Sequence, residues 1–504
     1  MILSISALAL TACSNGDNGS AANGDDAAPQ NLVVGTSSDV DNLLPWTATH
    51  FHSVRVLQNI YGTLTELDEE LNVVPGLAED WEVSEDALTV TFTLREDVTF
   101  HDGSDLTADD VVASYEAIMD EETAAVSATY LAAVDSVEAT DTHEVTLTLS
   151  SPDGALPSKL ALGSTAILPA DADLDTISNE PNGTGPFALE SHEANEALTL
   201  AANPDYWDGE PALDSVEFRV IPDENAIVSA LQAGNVHLAA FDDPVLVDTI
   251  GGDIEIHETP QLSYQVLQFN GYTEPLDDVD VRLAIACTVD RYEVLESAAM
   301  GAGEVTGPIT SPAYLSDPDN RPCPEPDLDR AQQHLADAGY ADGLTLSMIV
   351  MGDGYPSTAV AQAENIQAQL DQIGITVQIE ALESGSYVDR WMEADFELAL
   401  ALNGGQPDPD VMYGRYFISD GNLNQVAGYS SETLDELFAQ GLEETEEDSR
   451  REIYDQVSAE LEEEAVWVWL FAPYEYTALA EGVTGYTPMA NGSMKSLRDT
   501  SLEQ

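Results

Sequence analysis

Apolar and polar residues alternate in two stretches of the first third of the chain. Residues 88–94 carry apolar side chains at positions 88, 90, 92 and 94, and residues 143–149 repeat the pattern at 145, 147 and 149. An alternation of period two predicts strands with one buried face. Between the two stretches, Thr107 is followed by Asp110, which predicts a capped helix start, although Glu or Gln is more usual at the second position.

Helical spacing of apolar residues dominates from residue 279 onward. It is found in residues 281–288, 328–338, 359–373 and 431–464, with strand-like runs at 344–350 and 375–379 between them. The apolar run 466–471 predicts one more strand, which is too short to cross a membrane. Strands that alternate with helices indicate a protein of the α/β class.

The chain of 504 residues has 94 acidic side chains against 14 Lys and Arg, a formal net charge of −80. It lacks the clustered cations that bind nucleic acid, which excludes a nucleic-acid partner. Its two lysines, Lys159 and Lys495, do not lie in a Gly-Lys-Ser/Thr loop, so no nucleotide partner is expected either. Because 43% of the residues are hydrophobic, the chain can fold, and the acids are expected on its surface.

This acidic surface predicts a protein that works in high salt. Spread over about 18,000 Å² of surface, the charges repel by an amount on the order of 10 kcal/mol at about 0.15 M salt, comparable to the stability of a domain. At about 1 M salt the repulsion falls below about 1 kcal/mol. We therefore expect a halophilic protein.

The N-terminus resembles that of an exported lipoprotein. Residues 1–12 form a short apolar signal segment before Cys13, and residues 13–30 have the composition of a flexible tether. We expect lipidation of Cys13 and anchoring to the outer face of the cytoplasmic membrane, in the periplasm or at the cell surface. No Lys or Arg precedes the apolar segment, although secretory signals normally carry one. The alternative is a cytosolic N-terminus with an unmodified cysteine.

The other two cysteines, Cys287 and Cys323, are candidates for a disulfide, because disulfides persist in exported proteins. The alternative is two unpaired, buried thiols. No Cys-x-x-Cys motif occurs, so neither a redox motif nor a cysteine-rich zinc site is supported.

Several blocks of the sequence resemble one known family. In chain order they are Leu77-Ala78-Glu79-Asp80-Trp81, Phe100-His101-Asp102-Gly103, Gly183-Thr184-Gly185-Pro186-Phe187, Asn203-Pro204-Asp205-Tyr206-Trp207, Asp327-Leu328-Asp329-Arg330-Ala331 and Asp408-Pro409-Asp410. Over residues 31–504 the chain resembles the family 5 extracellular solute-binding proteins of ABC importers, the peptide/nickel class. The resemblance implies a protein that captures a solute outside the membrane and delivers it to the permease subunits of an ABC importer.

The resemblance also implies the fold. It is an α/β, periplasmic-binding-protein-like fold with two lobes joined by a hinge and an additional inserted domain, the class II, cluster C type. Lobe I is expected to comprise residues 31–63, 181–265 and 475–504, the inserted domain residues 64–180, and lobe II residues 266–474. The chain is expected to cross the hinge near residues 261–269 and 469–474. Closure of the lobes around a ligand gives the permease a second shape to recognise.

The expected ligand is an oligopeptide, with an oligosaccharide as the alternative. Peptide-binding relatives commonly hold the ligand's amino group with an acid three positions before the equivalent of Asp408, where this chain has Gly405. No Arg occurs in residues 351–356 to hold a carboxylate. Glycines here leave room for a longer peptide bound through its backbone, or for a sugar. The residues expected to line the ligand site are Trp46, Tyr355, Trp391, Asn403, Gly404 and Gly405.

Catalysis is not expected. The chain has neither a Gly-x-Ser-x-Gly elbow nor a His-Glu-x-x-His motif, so no catalytic residue, metal ligand or cofactor is assigned. With 94 acids, some carboxylate pair will always have the spacing of a glycosidase, which therefore carries little information. The remote alternative is an exported hydrolase, which would turn over peptides or oligosaccharides.

Overall fold

The computed structural model describes residues 29–353 and 356–503. Four sequence predictions therefore lie wholly or almost wholly outside the described residues. They are the signal segment, the lipidation of Cys13, the flexible tether and the ligand-lining role of Tyr355.

The described residues form twenty strands. In chain order they are β1 (Asn31–Thr36), β2 (Thr65–Leu67), β3 (Val73–Pro75), β4 (Ala78–Val83), β5 (Thr89–Leu94), β6 (Val134–Asp141), β7 (Glu144–Leu149), β8 (Phe187–Glu193), β9 (Ala197–Ala202), β10 (Ser215–Val220), β11 (Leu238–Phe241), β12 (Ile254–Pro260), β13 (Tyr264–Phe269), β14 (Gly303–Val305), β15 (Leu344–Met351), β16 (Ile375–Leu382), β17 (Leu398–Asn403), β18 (Trp467–Ala480), β19 (Val483–Thr484) and β20 (Ser501–Leu502). The two alternating stretches of the sequence form β5 and β7, which confirms the strand prediction.

Ten helices of seven or more residues are present in the described part of the chain. They are α1 (Phe51–Leu57), α2 (Ala108–Met119), α3 (Glu224–Gln232), α4 (Val279–Ala286), α5 (Leu328–Asp337), α6 (Ala359–Asp371), α7 (Ser384–Met392), α8 (Pro409–Phe417), α9 (Glu432–Glu443) and α10 (Glu447–Glu463). The predicted start of α2 is confirmed, because the Thr107 backbone N–H donates to Asp110 Oδ2 at 2.8 Å.

Twelve strands form one mixed sheet, which extends through the segments that the sequence predicts as lobe I and lobe II. These names are used below for those segments. The order of the sheet is β16-β15-β17-β13-β18-β11-β1-β10-β9-β8, and β12 and β14 also pair with β18. Parallel pairs occur on each side, such as β1 with β10 and β15 with β16. Helices connect the parallel strands, as α6 does between β15 and β16. This arrangement confirms the α/β class.

Strand β18 connects the two lobes. Its first part, Trp467 to Phe471, pairs with β13 in lobe II, and its last part, Tyr476 to Leu479, pairs with β11 in lobe I. The apolar pattern predicts a strand that ends at Phe471, whereas the observed strand continues to Ala480. The pattern changes because the strand leaves the buried interior of lobe II, and Tyr474 and Glu475 are only half-buried.

A separate four-stranded antiparallel sheet lies within residues 78–149. Its order is β4-β5-β7-β6, and α2 packs against β6 and β7. Phe92, Tyr115 and Leu147 are fully buried between the sheet and the helix. These strands belong to the segment that the sequence predicts as the inserted domain.

Helices α9 and α10 form a hairpin, whereas the pattern over residues 431–464 predicts one helix. The backbone leaves helical geometry at Glu444, where ψ is 134°. The reversal brings Phe438 of α9 against Tyr454 of α10, with ring centroids 6.1 Å apart, and both pack in one core with Leu461. A continuous helix would carry one of these apolar faces into solvent.

A disulfide joins Cys287 and Cys323 in the structure. It connects the end of α4 to the loop that precedes α5. Both cysteines are buried in the core of lobe II, so the structure corresponds to the disulfide and not to the two unpaired thiols.

Candidate ligand-binding cleft

A cleft of about 540 Å³ lies between the two lobes and residues 126–164. This volume is within the range of about 300–1,000 Å³ that is typical of small-molecule sites. Lobe I contributes α1 and Glu475, and lobe II contributes residues 404–407. The inner end is formed by residues 261–263, which connect the lobes. The cleft therefore lies where movement of one lobe against the other would open or close it.

Two smaller cavities, of about 230 and 130 Å³, adjoin this cleft. Asp242 lines all three, Glu475 lines the cleft and the smallest cavity, and Glu224 lines the two smaller cavities. Asp242 follows β11 directly, at the end of a buried strand. It therefore lies at the junction of the three spaces.

Asp242 is reached by solvent from the cleft, although protein surrounds it on several sides. Desolvation by these walls, and then repulsion from Glu475, raises the pKa of its carboxyl to about 6. Gln261 Nε2 donates to Asp242 Oδ1 at 2.9 Å and is the hydrogen-bond partner of this side chain in the described part of the chain. Burial, and then repulsion from Asp243, also raises the pKa of Glu224. The junction therefore favours a positively charged group.

The cations in the cleft wall are already bonded to the protein. Arg55 of α1 pairs with Glu475, and its Nε donates to the Gly492 carbonyl at 3.0 Å. Lys495 Nζ lies 3.1 Å from Glu66 Oε1. Arg55 and Lys495 are the Lys or Arg side chains that line the three cavities within the described residues. A ligand in these cavities can therefore pair with Asp242, whereas the Lys and Arg side chains that line them within the described residues are already in ion pairs.

Apolar side chains cover another part of the cleft. Phe51, Val54 and Val126 are 48%, 41% and 45% exposed, which is unusual for large apolar residues, and all three line the cleft. Exposed apolar surface in a cleft marks a place where a ligand is buried. The cleft thus combines an apolar wall with an acidic junction.

The two predicted glycines lie at the cleft but in different environments. A Cβ on Gly405 would lie 1.9 Å from the Leu262 carbonyl oxygen, so this position allows no side chain. A Cβ on Gly404 would meet no atom within 4 Å. Gly405 is therefore required by close backbone packing, whereas Gly404 opens space in the cleft.

The other predicted lining residues lie in or against the core. Trp46 is 2% exposed, and its Nε1 donates to the Ala166 carbonyl at 2.8 Å. Asn403 is 5% exposed at the end of β17. Trp391 packs against two apolar clusters of lobe II, and its Nε1 donates to Gln268 Oε1 at 2.6 Å. The structure brings only Gly404 and Gly405 of the described candidates into the cleft lining.

Neither a metal centre nor a membrane span is found in the described residues. No three His, Cys, Asp or Glu side chains there lie close enough together to hold a metal ion. No helix of that part is both long and apolar enough to span a bilayer.

A two-lobed α/β fold with a ligand cleft at the crossing between its lobes defines a binding protein of the periplasmic type. The family model for bacterial extracellular solute-binding proteins, family 5 Middle, matches residues 72–424. The chain belongs to this family of extracytoplasmic, non-enzymatic solute-binding proteins.

The chain is similar to curated proteins over almost its whole length. It is 28% identical to the oligopeptide-binding protein AppA of Bacillus subtilis, covering 96% of this chain and 94% of that protein. It is 26% identical to the glutathione-binding protein GsiB of Escherichia coli K12, covering 94% and 95%. The solved structure of HbpA2 from Haemophilus parasuis has a TM-score of 0.85 at 25% identity, covering 94% and 100%. AppA in complex with a nonapeptide has a TM-score of 0.70 at 26% identity, with the same coverage.

The acidic junction was missed by the sequence predictions. Asp242 and Glu475 are 233 positions apart, and each is one of 94 acids in the chain. One local signal was present, because Asp242 directly follows a short apolar strand. Strand ends of open α/β sheets are where ligands bind.

Proposed function

We propose that this protein captures an oligopeptide and delivers it to the permease subunits of an ABC importer. The observation that carries the proposal is Asp242, which lies at the junction of three cavities and forms no ion pair within the described residues, since nearby Arg55 is paired with Glu475. A peptide's amino group supplies the missing positive charge. Membership in the family and the similarity to AppA, which was solved with a nonapeptide, support a peptide over an oligosaccharide.

The proposed mechanism is non-covalent closure. The apolar wall at Phe51, Val54 and Val126 takes up side chains of the peptide, and Asp242 orients its amino end. Because Gln261 holds Asp242 and lies in one of the two connections between the lobes, binding at Asp242 is linked to the position of the lobes. The closed form is the one that the permease recognises.

The decisive experiment is calorimetric titration of the purified protein in molar salt. The ligands are peptides of three to nine residues, the same peptides with acetylated amino ends, and oligosaccharides. We expect saturable binding of the free-amine peptides, with at least about tenfold weaker binding after acetylation, since a charge-assisted hydrogen bond is lost. Binding of oligosaccharides alone, or turnover of any of these compounds, would contradict the proposal.

The proposal includes a lipid anchor on Cys13, on the outer face of the cytoplasmic membrane. We expect the protein expressed in a bacterial host to fractionate with membranes, and the Cys13→Ser variant to appear in the soluble exported fraction. Equal membrane association of both proteins would reject lipidation of this cysteine.

The proposal also includes adaptation to salt. The net charge of −80 predicts that the melting temperature rises as NaCl is increased from 0.1 to 3 M. A melting temperature that does not change over this range would show that surface repulsion is unimportant for stability.

A further inference from the structure

A buried arginine in lobe II has no acceptor for its guanidinium donors in the part of the chain that the structure describes. Arg321 is 8% exposed, and its Nε, Nη1 and Nη2 are buried without a hydrogen-bond partner among the described residues. Buried charged groups are ordinarily paired, because removal of a charge from water is unfavourable unless other groups replace the solvent. The N–H groups of a guanidinium, which stays protonated, therefore require an acceptor here.

A second buried arginine, Arg291, lies close enough to Arg321 for the two charges to repel each other. Arg291 is 4% exposed, and its Nε donates to the Trp469 carbonyl in β18 at 2.8 Å. Burial, and then repulsion from Arg321, lowers the pKa of Arg291 to about 10. Two like charges in a protein interior are tolerated when a group of opposite charge compensates both.

One buried carboxylate faces the two arginines. Glu462 of α10 is 4% exposed, and burial raises its pKa while Arg291 and Arg321 oppose that shift. Asp317 and Asp319 also attract Arg321, but both are exposed on the preceding loop. Asp290 also attracts Arg291, but it is half-buried and its Oδ1 accepts from the Glu293 backbone N–H at 2.9 Å. The two buried guanidinium groups therefore share Glu462 as their fully buried carboxylate, which leaves an excess of positive charge among the buried groups.

We propose that Arg321 and Arg291 bind a small monovalent anion, chloride in the first instance, inside lobe II. A monatomic anion needs little space and accepts N–H donors from any direction. A phosphate would instead bring several oxygens and a larger charge into the interior, which is costly. The anion connects the loop that carries Cys323, two residues after Arg321, to the strand that joins the lobes, because Arg291 is bonded to Trp469.

The first test is diffraction from wild-type crystals grown in sodium bromide, with data collected at the bromine absorption edge. We expect an anomalous peak within hydrogen-bond distance of the Arg321 guanidinium. Ordered water alone at that position, or a direct contact between Arg321 and the Glu462 carboxylate, would overturn the proposal.

The second test exchanges anions in solution at constant ionic strength. We expect the wild-type melting temperature to be higher in 1 M sodium chloride than in 1 M sodium gluconate, by about 2 °C or more. Arg321→Met should lose most of this difference. Arg390→Met should keep it, because Arg390 is only half-buried and is paired with Glu380 and Asp395.

An equal chloride effect in Arg321→Met and in the wild type would also overturn the proposal. If Arg321→Met does not fold, Arg321→Lys retains the charge with fewer donors and should show a smaller chloride effect than the wild type. The diffraction experiment requires no variant. The proposal is independent of the ligand bound in the cleft.

Discussion

Two arginine–carboxylate pairs of this protein use the same chemistry in different surroundings. In lobe II, Arg450 Nη1 lies 2.7 Å from Asp408 Oδ2, and the two side chains are 5% and 1% exposed. In the cleft, Arg55 pairs with Glu475, and open space adjoins the pair. The two pairs differ in whether a charged group beside them remains within reach of a ligand.

The buried pair leaves little bonding capacity unused. Arg450 also donates to the Gly441 carbonyl at 3.0 Å and to the Tyr314 hydroxyl at 3.0 Å. Asp408 is the N-cap of α8, where Asp408 Oδ1 accepts from the Asp410 backbone N–H at 2.9 Å. This bonding holds α8, α9 and α10 together and compensates both charges of the pair, although Asp408 and Arg450 also line a separate cavity of about 100 Å³.

The cleft pair leaves one acid over. Arg55 neutralises Glu475, but Asp242 lies beside them with a neutral partner, Gln261. The buried pair also has a second acid beside it, because Asp410 Oδ1 is buried without a hydrogen-bond partner among the described residues. Asp242 differs from Asp410 because it lines three cavities, so an acid left over at open space indicates a place for a ligand. This distinction cannot be made from residue type or from spacing in the sequence.

The largest effect is expected at the buried pair. Arg450→Met leaves the Asp408 carboxylate buried without its cation, so we expect a loss of about 3–5 kcal/mol in the free energy of unfolding. The measurement is denaturant unfolding at fixed salt. Arg451→Met is the matched control. Arg451 is the next residue after Arg450 in α10, but it forms exposed pairs with Glu447 and Asp448. Its loss should be about 1 kcal/mol or less.

Equal losses in these two variants would break the comparison, because burial would then not decide what an arginine pair does. Peptide binding provides a second check. The fraction of Arg450→Met that remains folded should bind with unchanged affinity, because Asp408 lies outside the cleft lining.

The neighbouring residues Gly404 and Gly405 allow a second comparison of surroundings, with a smaller expected loss of stability. A Cβ at position 405 would overlap the Leu262 carbonyl, so we expect Gly405→Ala to lose about 1–3 kcal/mol of stability and to bind peptide more weakly. Gly404→Ala meets no neighbour and should stay within about 0.5 kcal/mol of the wild type. Thermal unfolding and calorimetry of both variants measure this. Equal behaviour would mean that the loop moves freely away from Leu262.

Local patterns predicted several strands and helices, because helix and strand periodicity depends on near neighbours. Residues 88–94 and the capped start at Thr107 are examples. The errors occurred where distant contacts decide. The reversal at Glu444 depends on a core shared by two helices, and the extension of β18 past Phe471 depends on its pairing with strands of lobe I. Neither the shared core nor the strand pairing can be recognised from a short window of sequence.

The ligand site was less predictable than the fold, because the role of each side chain depends on contacts with residues distant in sequence. Trp46 and Trp391 have the side chains of a ligand wall, yet the structure uses their indole N–H groups for internal hydrogen bonds. Gly405 lines the cleft, but the close approach of the Leu262 carbonyl explains why this position is a glycine, without reference to the size of a ligand. Asp242 could not be distinguished from the many surface acids until its neighbours were known.

Asp242 should determine the affinity for peptide and should not contribute to the stability of the fold. Asp242→Asn keeps the shape of the side chain but removes its charge, so we expect affinity for free-amine peptides to fall between about 10- and 100-fold. Without ligand, the variant should be at least as stable as the wild type above pH 6, since ionising a carboxyl whose pKa is raised disfavours the folded state. Asp253→Asn, an exposed acid of the same lobe, is the control and should change neither quantity. A loss of stability without a loss of affinity would assign Asp242 a structural role.

The smallest effect is expected in the pH dependence of peptide affinity, which separates the charge of the Asp242 side chain from its shape. Because the pKa of Asp242 is raised to about 6, the carboxylate is ionised at pH 7 and mostly protonated at pH 5, while a peptide's amino group stays protonated at both. We therefore expect wild-type affinity to fall by about tenfold from pH 7 to pH 5 in molar salt, a ratio set by the ionised fraction of one group. Asp242→Asn should show little of this dependence. A similar decline in both proteins would place the titrating group elsewhere in the cleft, with Glu224 as the next candidate, because it lines two of the same cavities.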